Sequence, residues 1–239
     1  MGVASTVTIG LLLPDVLGTY SDSGNATVLA KRLRWRGIAA EVLRCTAVQA
    51  PPTGCDIYLL GGGEDTAQLF AASWLRSHRA LCRALRNSGV TLAVCAGLQV
   101  LGHTMTDSAG RETPGLGVLD IATRPRRRRA IGNIVTDCQV PGVGQLCGFE
   151  NHQGATTLGP EARPLGTVVS GVGNGDGTLA HSRLEGAMND RVIGTYLHGP
   201  VLARNPRLAD HILARATGAP LPPLELPDQA SLRSTYLCR

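Results

Sequence analysis

Short runs of consecutive apolar residues mark the first half of the chain. The clearest are Val7–Leu13, Ile57–Leu60 and Thr91–Val94, and Glu41–Leu43 is a weaker candidate. Runs of this length without polar alternation are typical of parallel strands that are buried on both faces. We therefore expect these segments to lie side by side in one sheet.

Helical segments alternate with these runs. Ala26–Arg36 and Ala67–Arg86 carry apolar residues at helical spacing, and Gly37 and Gly89 follow them at the positions of helix C-caps. This alternation of strand and helix predicts an α/β fold with a mostly parallel sheet and helices on both faces.

The second half of the chain is richer in Gly and predicts more strand than helix. We expect strands at Ile131–Asp137, Gly166–Ser170 and Val192–Tyr196, and a helix at Asn205–Thr217. No repeat or linker divides the chain, so one domain is expected over residues 1–218. Residues 219–239 are Pro-rich and are expected to trail over the surface as a C-terminal tail.

Composition narrows the class of protein. A chain of 239 residues with 43% hydrophobic residues suits one α/β domain with a sizeable core and excludes global disorder. No apolar run is long enough to span a membrane, and the N-terminus lacks the basic region of a signal peptide, so we expect a cytoplasmic protein. The 7 Cys form no zinc-spaced cluster with His, so free thiols and no metal are expected.

The strongest candidate for chemistry is Cys95. It follows the apolar run Thr91–Val94, and Gly97 lies two residues further, where a helix is expected to begin. A tight strand-to-helix turn of this kind lifts a nucleophile above the sheet edge, and a helix N-terminus favours a thiolate. The N–H of Ala96 then points to where an oxyanion would form. The alternative is a buried structural Cys.

A Gly-rich loop after another predicted strand is the second candidate. Gly61–Gly63 follows Ile57–Leu60, and consecutive Gly residues permit positive φ and close approach to a ligand. Their N–H groups are candidates for the other half of an oxyanion hole. The alternatives are a flexible turn or a phosphate loop, although the Lys and Ser/Thr of a P-loop are missing.

A Cys nucleophile needs a base, which is most often His. His198 ends the apolar segment Val192–Leu197, and the carboxyl ends of parallel strands meet at one edge of a sheet. His152, in the segment Gly148–Gly154, is the competing candidate.

Together these motifs resemble a known enzyme family. C-x-G-x-Q at Cys95–Gln99, the upstream Gly loop and the distant His resemble a class I glutamine amidotransferase, which has a flavodoxin-like architecture. The finer motifs resemble the GatD family of lipid II isoglutaminyl synthase subunits, which belongs with the cobyric-acid-synthase-like amidotransferases. These finer motifs are Tyr20–Asn25, Gly61–Gly63, Gly115–Gly117, Gly148–His152 and Gly194–Pro200. The resemblance extends from Thr6 to about Gly218.

The resemblance implies catalytic roles. Cys95 would attack the side-chain amide of glutamine, His198 would act as its base, and the oxyanion would be held by Ala96 and the loop residues Gly62 and Gly63. Many class I enzymes carry a Glu two residues after the His, where this chain has Pro200. Either a dyad suffices, as the family suggests, or another acid orients His198; Glu150 is a candidate that we do not favour.

The resemblance also implies substrate contacts. Arg129 matches the family's glutamine-binding Arg, and a guanidinium can pair bidentately with an α-carboxylate. Gln99, at the end of the C-x-G-x-Q motif, belongs to the expected substrate-binding set. Arg129 ends the run Arg126–Arg129, which holds much of the net charge of +5. The alternative is a solvated or nucleic-acid-binding patch, but the run has no interleaved aromatics, so no nucleic acid partner is expected.

The family also implies a partner. The chain would release ammonia from L-glutamine to a MurT-type, Mur-ligase-like synthetase that amidates the α-carboxylate of D-isoglutamate in lipid II. No motif in this chain binds ATP, so ATP and Mg are expected on that separate subunit and no cofactor on this one. The alternatives are a glutaminase serving a cobyrinate-type amidation and a non-catalytic glutamine-sensing subunit.

Overall fold

A computed structural model describes residues 6–107, 109–175, 183–224 and 226–237. The strands are β1 (Val7–Leu12), β2 (Ala40–Cys45), β3 (Ile57–Leu60), β4 (Val90–Val94), β5 (Thr104–Thr106), β6 (Glu112–Pro114), β7 (Ile121–Cys138), β8 (Gln145–Leu158), β9 (Gly166–Ser170), β10 (Leu184–Glu185), β11 (Ala187–Met188) and β12 (Val192–Thr195). The helices are α1 (Gly24–Arg34), α2 (Asp65–Ser77), α3 (Arg79–Asn87), α4 (Ala96–Leu101), α5 (Val201–Arg204), α6 (Pro206–Thr217) and α7 (Pro227–Leu237).

The first sheet has six strands in the order β11-β12-β4-β3-β1-β2. All neighbours pair in parallel except β11, which runs antiparallel to β12 at one edge. Helices lie on both sides, so the predicted α/β fold with a mostly parallel sheet is confirmed.

The apolar runs form strands because their side chains fill the core on both faces of this sheet. Every residue of β3, β4 and β12 is buried. Burial of this extent leaves functional side chains only at the strand ends. The carboxyl ends of β1, β3, β4 and β12 share one edge, which is where α/β proteins bind their ligands.

A second sheet, mainly antiparallel, accounts for most of the Gly-rich half. Its order is β10-β9-β7-β5-β6, and β8 pairs with β7 along a long two-stranded ribbon. The sequence predicted only the part of β7 from Ile131 onward. The ribbon is irregular at its middle: Pro125 pairs with Gly154 and Ala130 with His152, so the four residues Arg126–Arg129 face Gln153 alone.

Two further segments differ from the sequence expectations. The single helix expected over Ala67–Arg86 is two helices, because His78 between α2 and α3 has a non-helical backbone with φ −102° and ψ 71°. Within the expected tail, residues Pro227–Leu237 form α7. Arg233 in α7 donates hydrogen bonds to Arg204 O and Asn205 Oδ1, so this helix is attached to α5 and the residue that follows it.

Candidate active site

Cys95 lies at a strained turn between β4 and α4. Its backbone has φ 52° and ψ −108°, a region that residues with a side chain rarely occupy. The Cys95 N–H donates to Thr195 O of β12 at 2.9 Å, and the Gly97 N–H donates to Gly61 O at 3.1 Å. A Cβ at Gly97 would lie 2.8 Å from Leu60 Cβ, so only Gly allows α4 to approach β3 this closely. The turn has the geometry of a nucleophile elbow.

Gly62 marks the point where the catalytic candidates meet. A Cβ built on it would lie 2.8 Å from His198 Cε1, 3.2 Å from Asp22 Oδ2 and 3.4 Å from Cys95 Cβ. Three side chains, from the turn before α1, the end of β4 and the segment after β12, therefore surround one Gly. The structure brings the predicted nucleophile and base together, and their catalytic roles stay predictions.

Asp22 orients the His198 ring. The His198 Nδ1–H donates to Asp22 Oδ2 at 3.0 Å, and both side chains are almost completely buried. Burial alone lowers the His198 pKa, but the hydrogen bond to Asp22 and the nearby Cys95 thiol outweigh it and raise the pKa to about 9. Nε2 is buried and has no well-formed hydrogen bond to any described residue, although the thiol is close enough to contribute to this shift. Such contacts often tighten only when substrate binds.

Asp22 is the site residue that sequence reasoning missed. It follows β1 in the Tyr20–Asn25 motif, where Tyr20 and Ser21 have φ values of 60° and 59°. This unusual backbone turns the Asp22 carboxylate toward His198, while the Tyr20 ring contacts the His198 ring at a tilt of 51° with centroids 4.7 Å apart. The available signal was the motif itself, which places an acid in the connection between the end of β1 at Leu12 and the start of α1 at Gly24.

The Gly61–Gly63 loop contributes through close approach. None of its three residues has positive φ, so the positive φ that Gly permits is not used here. The Gly62 N–H donates to Asp22 Oδ2 at 2.9 Å and is thus occupied by the acid rather than directed at an oxyanion. The candidate oxyanion donors that remain are the N–H of Gly63 and that of Ala96, in the first turn of α4 where helical N–H groups have no intrahelical acceptor.

Arg129 lines the same pocket as Cys95, at the irregular centre of the β7–β8 ribbon. Its Nε–H donates to Asn151 Oδ1, and Asn151 in turn donates to the Tyr20 hydroxyl. Its guanidinium is also 3.8 Å from Glu64 Oε1 at the pocket rim. Arg129 is thereby oriented on both sides and remains partly exposed, which leaves the guanidinium accessible to an anion. Its role as the carboxylate anchor stays a prediction.

Gln99 also lines this pocket, and both ends of its amide have protein partners. Its Nε2 donates to the Tyr196 hydroxyl at 3.0 Å, and its Oε1 accepts a hydrogen bond from Gln68 at 2.5 Å. These contacts fix the amide as part of the pocket wall. Contact between Gln99 and substrate stays a prediction.

His152, the competing base, belongs to a different cluster at the pocket wall. Its ring stacks on Tyr196 with centroids 3.7 Å apart, and its Nδ1–H donates to Gly154 O. Burial lowers its pKa below the usual 6.5. Glu150 is 3.5 Å from His152 Nε2 and accepts hydrogen bonds from two backbone N–H groups of the loop after β9. The acid that contacts His198 is thus Asp22 and not Glu150.

The site thus combines a Cys at an elbow, a paired His and Asp, and a Gly loop at the edge of a parallel sheet. This is the arrangement expected of a cysteine-dependent amide hydrolase. The chain belongs to the CobB/CobQ-like glutamine amidotransferase family, which it matches over residues 8–206. The enzyme class predicted from the sequence, a glutamine amidotransferase, is confirmed.

Individual relatives refine this assignment. The chain is 34% identical over 233 residues to subunit GatD of lipid II isoglutaminyl synthase (glutamine-hydrolyzing) from Staphylococcus aureus strain N315, covering 95% of this chain and 93% of that protein. It is 33% identical over 211 residues to subunit GatD of Streptococcus pneumoniae strain ATCC BAA-255 / R6, covering 87% and 79%. The predicted resemblance to GatD is confirmed. A crystal structure of a glutamine amidotransferase shares the fold, with 19% identity, a TM-score of 0.59 and coverage of 87% of this chain and 98% of that one.

Proposed function

We propose that this chain hydrolyses L-glutamine through a Cys95 thioester and supplies the ammonia to a MurT-type, ATP-dependent ligase. That ligase would amidate the α-carboxylate of D-isoglutamate in lipid II, a step of peptidoglycan synthesis. The observation that carries the proposal is the arrangement of Cys95, His198 and Asp22 around Gly62. The 34% identity to a GatD subunit supports the choice of pathway.

The first half-reaction forms the thioester. The Cys95 thiolate, whose proton is held by His198, attacks the amide carbon of glutamine, and the carbonyl oxygen becomes an oxyanion that the Ala96 and Gly63 N–H groups stabilise. Because the His198 pKa is raised to about 9, the ring is protonated at neutral pH and can give its Nε2 proton to the departing ammonia. The C–N bond breaks as this proton is transferred, leaving a γ-glutamyl thioester on Cys95.

The second half-reaction uses the same groups in reverse. The neutral His198 ring now accepts a proton from water, whose oxygen attacks the thioester carbonyl. The C–S bond breaks, glutamate leaves, and the sulfur returns to the thiolate beside the imidazolium. Asp22 stabilises the charged ring in both half-reactions, since its carboxylate is 3.0 Å from Nδ1.

Arg129 would bind the α-carboxylate of glutamine. The side chain is at the rim of the pocket that contains Cys95, and its orientation through Asn151 reduces the entropy lost on binding. A charge-assisted, bidentate contact to a carboxylate is stronger than a neutral hydrogen bond. The substrate would then extend from Arg129 at the rim to Cys95 at the base of the pocket.

The ligase partner would supply ATP and Mg binding, and the reaction would take place in the cytoplasm. None of the helices within the described ranges combines the length and apolar character that a bilayer span requires. Lipid II would therefore be reached through the complex rather than through a membrane segment of this chain.

The test is reconstitution with the candidate ligase, followed by measurement of lipid II amidation with ATP and either glutamine or ammonium as nitrogen donor. The Cys95→Ala complex should lose amidation with glutamine and keep it with ammonium. Glutamine-dependent amidation that survives Cys95→Ala would exclude the proposed mechanism. Loss of both activities in a correctly assembled complex would indicate a structural role for this chain.

A further inference from the structure

Thr195 joins the backbone of the nucleophile to that of the base. Its carbonyl oxygen accepts the Cys95 N–H at 2.9 Å, and His198 follows three residues later on the same segment. β12 ends at Thr195, so the chain between Thr195 and His198 leaves the regular ladder of the sheet. The distance between the Cys95 sulfur and the His198 ring therefore depends on how this short segment is held.

One carboxylate oxygen holds the start of that segment. Glu185 Oε1 accepts hydrogen bonds from the Tyr196 N–H at 2.8 Å and from the Thr195 hydroxyl at 2.9 Å. The Thr195 Oγ1 then accepts the Leu197 N–H at 3.1 Å. Two backbone N–H groups that have left the sheet are thus satisfied, directly or through Thr195, by Glu185.

The backbone of Glu185 is itself held in place. It pairs with Gly166 in the second sheet, and the neighbouring Gly186 exchanges two hydrogen bonds with the Asn174 side chain at 2.8 and 2.7 Å. A Cβ at Gly186 would lie 2.3 Å from Gly194 O, so β10 and β12 are in close contact here. The Glu185 backbone is therefore held rigidly between the two sheets.

Burial of the Glu185 carboxyl group is unfavourable for the stability of the fold. Glu185 is completely buried, and its Oε2 has no hydrogen-bond partner among the described residues. Burial raises its pKa to about 7, although the hydrogen bonds from Tyr196 and Thr195 oppose the rise. A buried carboxyl with an unsatisfied oxygen destabilises a fold unless its other contacts compensate.

We propose that Glu185 is a positioning residue for glutamine hydrolysis, which fixes the Thr195–Leu197 backbone and through it the placement of the His198 ring relative to Cys95. The proposal rests on the glutaminase function proposed above. Glu185 touches neither substrate nor reacting atoms. Because a shift of about 1 Å in a catalytic group can cost roughly a hundredfold in rate, small movements of this segment matter.

The test compares three substitutions in the full chain. Glu185→Gln keeps an acceptor oxygen at the same distance, Glu185→Asp withdraws it by one methylene, and Glu185→Leu removes it. Glu185→Gln should retain kcat within about threefold, while Glu185→Asp and Glu185→Leu should lower kcat for glutamate release roughly a hundredfold with little change in KM. If Glu185→Leu does not fold, the comparison of Gln with Asp still decides the matter.

Reactivity of the nucleophile provides a second readout that does not require turnover. The alkylation rate of Cys95 by iodoacetamide, followed on its peptide by mass spectrometry, depends on the adjacent imidazolium. In Glu185→Asp and Glu185→Leu, Cys95 should lose reactivity below about pH 7, whereas Glu185→Gln should retain the wild-type dependence of the alkylation rate on pH.

Asn189→Ala is the matched control. The Asn189 Oδ1 accepts the N–H groups of Arg191 and Val192 at the other end of β12, so this variant removes similar hydrogen bonds far from the site. It should lose stability without changing the alkylation profile. The proposal is overturned if Glu185→Asp and Glu185→Leu match the wild type in kcat and alkylation, or if Asn189→Ala changes both equally. A wild-type chain that releases no glutamate would count against the glutaminase function alone, since the alkylation profiles would still test the positioning role.

Discussion

Replacing Asp22 by Asn is the most informative single change in the site. The substitution keeps the shape of the side chain but removes its charge and puts an NH₂ group in place of one oxygen. The carboxylate accepts from both His198 Nδ1 and the Gly62 N–H. Both contacts are made by the same carboxylate oxygen, Oδ2, so an Asn with its amide oxygen in that place keeps both hydrogen bonds and loses only the charge. The charged His198 ring is then no longer stabilised by a neighbouring anion.

The structure sets the size of the effect. A His198 pKa of about 9 against the ordinary 6.5 corresponds to roughly 3 kcal/mol in favour of the charged ring. The hydrogen bond to Asp22 is the largest contribution that raises it, while burial acts in the opposite direction. Asp22→Asn should therefore return the His198 pKa to 6.5 or below. Because the ring is neutral before the second half-reaction and becomes charged as it accepts the proton from water, loss of this stabilisation should lower kcat on the order of a hundredfold.

The assay is steady-state glutamate release, combined with titration of the His198 ring by NMR. Asp56→Asn is a suitable control, because Asp56 also accepts a backbone N–H, that of Thr8 at 2.7 Å, but precedes β3 at the opposite edge of the sheet. It should leave kcat and the His198 titration unchanged. Wild-type kcat together with an unshifted His198 pKa in Asp22→Asn would refute the reasoning and favour a Cys–His dyad.

Three other predictions follow from the site. Gly62→Ala should reduce glutamate release at least a hundredfold without unfolding the protein, since its Cβ would lie 2.8 Å from His198 Cε1. Gly54→Ala is the control: Gly54 has open space around it, so this variant should keep normal activity and a normal circular dichroism spectrum. Arg129→Ala should raise KM for glutamine by roughly 10- to 100-fold, which corresponds to a loss of about 1.5–3 kcal/mol of binding free energy. Cys95 should still react with a small neutral thiol reagent, and Arg127→Ala should have little effect. A normal KM together with weaker ligase binding would instead make the Arg run a docking surface. The raised pKa of His198 should stabilise the fold fully below pH 6.5, and this contribution should disappear as pH rises through about 9, so Tm should fall more steeply over that interval in the wild type than in His198→Ala.

The sequence predicted the parallel sheet well because its strands are buried on both faces. Ile57–Leu60 was predicted with its actual bounds, and Thr91–Val94 differs from β4 only by the absence of Val90. In the second sheet Gly166–Ser170 was predicted with its actual bounds. The rest of that sheet was predicted poorly, since the first part of β7 contains Arg126–Arg129 and is a strand only through its pairing with β8 and β5. The break at His78 was also missed, because no Gly or Pro marks it. The His78 Nδ1–H donates to Trp74 O at 2.7 Å at the end of α2.

The site shows the same division between local and distant information. Cys95 and His198 are recognisable because each ends an apolar run, and the carboxyl ends of parallel strands meet. Asp22 is 176 residues away from His198 in the chain, and nothing in its local sequence shows which side chain it contacts. The absence of an acid at Pro200 left two alternatives open, a dyad or an acid from elsewhere, and the backbone of Tyr20 and Ser21 determines where the acid comes from.

The candidate hydrolytic residues and the candidate substrate-binding residues lie in different sheets, which matters for protein engineering. Cys95, His198 and Asp22 follow strands of the first sheet, whereas Arg129 and Asn151 belong to the ribbon of the second. The two parts are joined at the site by the pair of hydrogen bonds between Phe149 and His198, at 3.2 and 2.8 Å. Residues 126–129 form an irregular segment opposite Gln153 alone, and within it Arg126 is buried while Arg127, Arg128 and Arg129 are exposed, so redesign would be confined to these three positions. Variation of this segment is therefore the place to alter the choice of amide substrate, while Cys95, His198 and Asp22 are kept unchanged.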